Sequence, residues 1–211
     1  MATMERLALS EVCHCLAVLF YDPQEFLPGG AADFFNDYRA AFSSGDAELV
    51  VAFQALEQAA QQIDLTRLRV DYAALFVGPG ELRACPYGSV HLEKGYQLYG
   101  ETTLRVADLY AQAGLRLGAE SGTVPDHIAV ELEFLHFLLH RMANADTSPP
   151  AHIYPTFLQR FFQPFARQLA DLLIRRAETD FYRLLGRMLQ RLTVVLARTI
   201  ELPPAEAGSR S

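Results

Sequence analysis

At 211 residues and 23.5 kDa, with 51% apolar and 20% charged side chains, the chain is long enough for one full hydrophobic core. By area scaling it can bury about 70% of its unfolded surface without a disulfide or metal staple. Eighteen basic and 25 acidic side chains leave a net charge of −7, which argues against a general nucleic-acid or anionic-membrane binder, since phosphate contacts need a basic face. Seventeen of the 18 basic residues are arginine and only Lys94 is lysine, the bias of a GC-rich genome.

Helical spacing recurs along the chain, and no segment sustains a period of two. Residues 4–20 read as a first helix ended by Asp22-Pro23. Its apolar run Val12–Tyr21 is ten residues, half of a membrane span, and it lacks a basic start and a small-x-small cleavage site. No secretory signal or stable membrane insertion is expected, and the localisation read is cytoplasmic. Cys13 and Cys15 are two apart and face different sides of that helix, while Cys85 stands beside a proline. Reduced thiols are expected rather than a disulfide or zinc framework. Residues 31–43 and 46–62 form the next helices, split by Ser43-Ser44-Gly45, with Asp46 as N-cap. Asp64 caps a helix whose Leu65, Leu68, Tyr72, Leu75 and Phe76 share a stripe, stopped by Gly78-Pro79. Residues 79–99 show no period, and a loop of about 20 residues inside a compact domain is uncommon unless functional.

Thr102 or Thr103 opens a helix ending at Gly114, and Thr123-Val-Pro-Asp-His opens the next, with Pro125 in its first turn and Asp126 at the positive end of the dipole. Ile128, Leu132, Leu135, Leu139 and Met142 form its apolar stripe. Residues 143–150 are a polar, proline-ended linker or hinge between an N-terminal part, 1–142, and C-terminal helices over 151–200. Pro155 and Pro164 suit helix starts, a last helix runs over about 180–199, and residues 201–211 read as a disordered tail. The expected fold is a single all-α domain, a compact bundle of about eight to ten helices.

Few residues advertise chemistry. Glu133-Phe-Leu-His136 is a single Glu-x-x-His where di-iron bundles need two, and His136 and His140 could share a metal only with a third ligand. No nucleophile elbow, phosphate loop or dinucleotide fingerprint occurs. Apolar and aromatic residues do gather in and before the irregular segment: Tyr72, Leu75 and Phe76, then Pro86, Tyr87, Val90 and His91. They either plug the core or form a groove for a partner's apolar helix or extended peptide. Asp126 either caps its helix or recognises a ligand, and His127 and Glu131, four apart, could also pair structurally.

Leu75-Phe-Val-Gly-Pro, Pro86-Tyr-Gly-Ser-Val-His-Leu-Glu, Leu98-Tyr-Gly-Glu-Thr-Thr, Pro125-Asp-His-Ile-x-x-Glu-Leu-Glu-Phe and Phe181-Tyr-x-x-Leu-Gly occur in order. The set resembles the TorD/DmsD family of redox-enzyme maturation chaperones. The resemblance implies a cytoplasmic, non-enzymatic protein that binds the twin-arginine leader of a molybdopterin oxidoreductase (DMSO/TMAO reductase-like) and holds the apo catalytic subunit until its cofactor is inserted. Carried onto this sequence, it implies a leader site of Tyr72, Leu75, Phe76, Pro86, Tyr87 and His91, with Asp126, His127 and Glu131 beside it. Gly78, Pro79, Gly88 and Ser89 would shape the loop. The DmsD branch often has Trp where Tyr87 and His91 stand here, and this chain has none, which points to a different client. At the position of a pocket residue, His91 would make the site more polar and pH-sensitive.

The resemblance also implies weak contact with GTP or molybdopterin, although no cofactor of the chain's own is expected. Two other readings are a chaperone of a non-exported subunit, as in related nitrate-reductase chaperones, and a metal-dependent hydrolase using His136 and His140. A monomer or a dimer exchanging C-terminal helices would fit the linker. The charge divides unevenly: residues 1–140 hold 8 basic and 19 acidic side chains, −11, and residues 141–211 hold 10 and 6, +4. An acidic site suits an arginine-bearing partner.

Overall fold

The computed structural model describes residues 3–27, 31–43, 45–95, 98–116, 124–144 and 150–201. Thr123, most of the 143–150 linker and the tail beyond residue 201 lie outside them.

Helix α1 spans Thr3–Leu19, and its buried Val12, Leu16 and Leu19 lie along α8, Ile128–Ala143, whose Leu132, Leu135 and Leu139 return the contact. This pair is the centre of the bundle. Asp22, read as a stop, also starts a helix: its carboxylate accepts the Gln24 N–H at 2.9 Å and Pro23 occupies the first turn of α2, Pro23–Phe26. Helix α3, Ala31–Phe42, packs on α1, and α4, Ala47–Gln62, packs on α3. Asp46 caps α4 by accepting the Glu48 and Leu49 N–H groups, as its position predicts. Asp64 caps α5, Leu65–Tyr72, which runs on into a π segment, Ala73–Val77, that ends where Gly78 adopts φ 96°.

The aperiodic segment contains one short helix, α6, Gly88–Leu92, followed by α7, Glu101–Gln112. Helix α8 begins at Ile128, three residues later than Pro125 suggested, because Pro125 and Asp126 form a turn closed by the His127 N–H on the Val124 carbonyl and His127 is held extended. Helix α9, Ile153–Phe157, a π segment, Leu158–Phe162, and α10, Gln163–Arg176, form one rod. Pro164 therefore lies within a helical run rather than opening one. The preceding π turn, in which the Gln163 N–H reaches back to the Leu158 carbonyl, takes up the register change beside a residue with no N–H to donate. Helix α11, Asp180–Glu201, pairs with α10 and α4. Eleven α and two π segments thus make ten continuous helical runs among the described residues, an all-α fold as the periodicity predicts.

The α10–α11 seam is close: a Cβ on Gly186 would stand 2.9 Å from Leu173 Cβ and 3.0 Å from the Ala170 carbonyl. The start of α11 is held by Asp71 of α5, 2% exposed, whose carboxylate accepts the Thr179 N–H at 2.8 Å, the Thr179 hydroxyl at 2.7 Å and the Glu178 N–H at 3.1 Å. Cys13, Cys15 and Cys85 are all free thiols in the interior. No helix among the described residues is long and apolar enough to cross a membrane.

Candidate functional site

Two short segments distant in sequence build one corner of the molecule. The Ile128 N–H donates to the Pro86 carbonyl at 2.9 Å and the Gly88 N–H to the Asp126 carbonyl at 2.8 Å. They frame an antiparallel bridge between Tyr87 and His127. Asp126 Oδ2 accepts the Ser89 N–H at 2.6 Å and His127 Nδ1 the Ala129 N–H at 3.2 Å. Asp126 therefore caps α6 rather than its own helix, and His127 is the N-cap of α8. A side chain at Gly88 would be crowded, since its Cβ would meet Glu131 Oε1 at 3.3 Å and Phe165 Cδ1 at 3.4 Å.

The bridge sets two half-buried rings side by side, Tyr87 and His127, at 5.2 Å between centroids. On the other face of His127, Tyr21 stacks at 6.4 Å and 11°, and its hydroxyl donates to Glu133 at 2.8 Å. Tyr72, also half-buried, lies within electrostatic reach of Tyr21, Tyr87, Asp22 and Glu25. Burial, then Asp22, pushes the Tyr72 hydroxyl up to about 12; burial and Glu133 raise Tyr21, and burial raises Tyr87. Burial holds His127 down to about 4, so the imidazole is neutral near pH 7. The result is a patch of neutral rings edged by the carboxylates of Asp22, Glu25 and Glu133.

The expected site residues separate into three groups. Tyr72, Tyr87 and His127 reach this patch. Leu75, at 0%, and Phe76, at 5% exposure, belong to the core, where Phe76 packs edge-on against Phe20 and Tyr182; the groove lining expected of them is corrected. Pro86, Ser89, Asp126 and Glu131 are buried beneath the patch, where they support it rather than line it. The third group faces elsewhere. Gly78 and Pro79 shape the turn after α5, and His91 turns to Phe165 with its Nε2 2.7 Å from the Cys85 carbonyl. Burial lowers the His91 pKa, and the ring packs against Phe165 rather than joining the patch. The side-chain oxygens of Glu131 have no partner, so its pairing with His127 is not made.

Tyr21, Asp22, Glu25 and Glu133 are additions of the structure; Tyr-Asp-Pro had signalled only the end of α1. A Phe76→Ala change is expected to lower stability by about 3–5 kcal/mol, the usual cost of emptying a core phenylalanine. Chemical denaturation checks it, and a loss below 1 kcal/mol would show the side chain to be peripheral. Among the described residues no three His, Cys, Asp or Glu side chains are gathered to hold a metal. His136 Nδ1 is 3.0 Å from the Ser10 carbonyl, and its ring lies 6.0 Å from that of His140.

Residues 41–171, more than half of the chain and including Tyr72, Tyr87, His127 and Glu133, match the family described as nitrate reductase delta subunit. The chain belongs to that family. Among curated relatives, the Tat proofreading chaperone DmsD of Salmonella typhi is 26% identical over 180 residues, covering 84% of this chain and 82% of its own. The chaperone protein TorD of Aliivibrio salmonicida is 34% identical over 83 residues, 39% of this chain and 38% of its own. A solved structure described as a redox enzyme maturation protein from Archaeoglobus fulgidus shares the fold, with a TM-score of 0.50 and 24% identity over 94% of each chain. The family's helical fold and the ordered motifs of the chain therefore agree.

Proposed function

We propose that the chain is a cytoplasmic, non-enzymatic chaperone that binds the twin-arginine leader of a molybdopterin-dependent oxidoreductase and holds the apo catalytic subunit until its cofactor is inserted and export begins. One observation carries the reading: Tyr21, Tyr87 and His127 stand ring by ring with Glu133 bonded to Tyr21, and Tyr72, Asp22 and Glu25 lie within electrostatic reach. Neutral ring faces attract guanidinium groups by roughly 0.5–2 kcal/mol each. Exposed carboxylate pairs add only about 0.2–1 kcal/mol. Micromolar binding corresponds to about −8 kcal/mol and ordering a leader costs about 2–5. Contact between the rings and the leader's apolar stretch therefore supplies most of the affinity, and the acids set orientation and on-rate.

Calorimetry with a synthetic leader and with the same peptide carrying glutamine for both arginines tests this. The expected result is saturable binding of the first and at least tenfold weaker binding of the second; no binding of the first sinks the reading. The family's description, which names nitrate reductase, favours one second reading, a client subunit of that kind, which we take as one that is not exported. Equal affinity for both peptides would support that client instead.

A further inference from the structure

Beneath the ring patch, four polar atoms have no hydrogen-bond partner: Ser89 Oγ, Asp126 Oδ1 and both side-chain oxygens of Glu131. All three residues are 0% exposed. Orphaned buried polar atoms are rare, and a buried carboxylate without a donor is costly. The place is closely packed. From the one point where a Gly88 Cβ would stand, Glu131 Oε1 is 3.3 Å away, Phe165 Cδ1 3.4 Å and Asp126 Cβ 3.5 Å. A proton takes up little space, and a protonated carboxyl brings a donor to a cluster whose other donor is the Ser89 hydroxyl.

We propose that Glu131 keeps its carboxyl proton in the folded protein and, as a neutral group packed beside Gly88 and Asp126, supports the segments that position Tyr87 and His127. Glu131 is thus a positioning residue. Its bearing on binding rests on the leader site proposed above; its protonation does not.

The surrounding groups agree. Burial, then the negative charge of Asp126, holds the Glu131 carboxyl well above its ordinary 4.5. From α7, the Tyr110 hydroxyl is committed to the Pro125 carbonyl at 2.8 Å, and burial raises it. Near α6, burial raises the Cys85 thiol and the Tyr87 hydroxyl and lowers His91. Phe165 is the α10 contact at Gly88, and His127 is neutral near pH 7. No cation among these groups stabilises an ionised Glu131.

A raised carboxyl fixes the sign of its linkage. Below pH 4.5 it is protonated whether the chain is folded or not, and its contribution is complete. Above that, unfolding releases a proton, so stability falls with rising pH until the folded pKa is passed. His127, held near 4, has the opposite slope between about 4 and 6.5, and comparing variants cancels it.

Infrared spectroscopy of the full-length protein at pH 7 in heavy water reads the proton directly. Wild type is expected to show the carbonyl stretch of a neutral carboxylic acid, and Glu131→Gln to lack it. The stability of Glu131→Gln should also decline less than that of wild type between pH 5 and 8. A wild-type spectrum without the band, a band that survives in Glu131→Gln, or parallel pH profiles would overturn the proposal. If Glu131→Gln fails to fold, the wild-type spectrum decides alone. No leader peptide enters these measurements, so a different client leaves them unchanged.

Discussion

A Tyr87→Ala variant is expected to bind a leader peptide about 30-fold more weakly than wild type, the cost of about 2 kcal/mol typical of a central aromatic anchor. Tyr87 is half-buried and its ring is held at 5.2 Å from that of His127, so it meets a ligand already ordered. Its fixed place comes from main-chain bonds on either side of it, which alanine keeps. The variant should therefore fold with an unchanged helical circular dichroism spectrum. By contrast, Glu133→Gln should weaken binding by no more than about fivefold, the limit for one exposed charge pair. Calorimetry on both variants decides. Equal losses, or a larger loss at Glu133, would mean that charge rather than ring contact holds the leader.

Asp71→Ala is expected to lower stability by about 3 kcal/mol, since hydrogen bonds to a charged acceptor contribute about 1.5–3 kcal/mol. For a chain of this length that is a fall in Tm of roughly 6–12 °C. The carboxylate is 2% exposed and receives the Thr179 N–H, its hydroxyl and the Glu178 N–H, so alanine takes the acceptor from three donors at the start of α11. Asp71→Asn keeps one acceptor oxygen and should lose less. Urea titration measures both, and a loss below 1 kcal/mol for alanine would show that water replaces the carboxylate. Tyr72 follows Asp71 directly, so Asp71→Ala should also loosen the leader site.

Much of this architecture was legible from residue order. The caps Asp46 and Asp64, the stop at Gly78 and the stripe from Ile128 to Leu139 act within a few residues, where periodicity and capping chemistry operate. Helix α6 was not legible, because its five residues include Gly88 and Ser89 and owe their shape to Asp126, 37 positions away from Ser89. The same limit applies to the site. Leu75 and Phe76 carry the same apolar signal as Tyr87, and only packing against Phe20 and Tyr182 assigns Phe76 to the core. Glu133 reaches the patch through Tyr21, 112 positions earlier. The charge split is also partly internal: Arg191 holds Asp46 at 2.7 Å, and Arg198 stands 3.5 Å from the same carboxylate.

The contact between Asp46 and Arg191 spans 145 positions, and that between Asp71 and Thr179 spans 108. Both join helices made early on the ribosome to α11 or the residues just before it, made more than 100 positions later. Until α11 has emerged, Asp46 lacks its guanidinium partner and the inner face of α4 lacks a cover. Translation must therefore pass α11 before the bundle can close, and the corner holding Tyr72 is secured only once Thr179 and α11 have emerged. A ribosome stalled before α11 would carry an open, protease-sensitive bundle rather than a working N-terminal half.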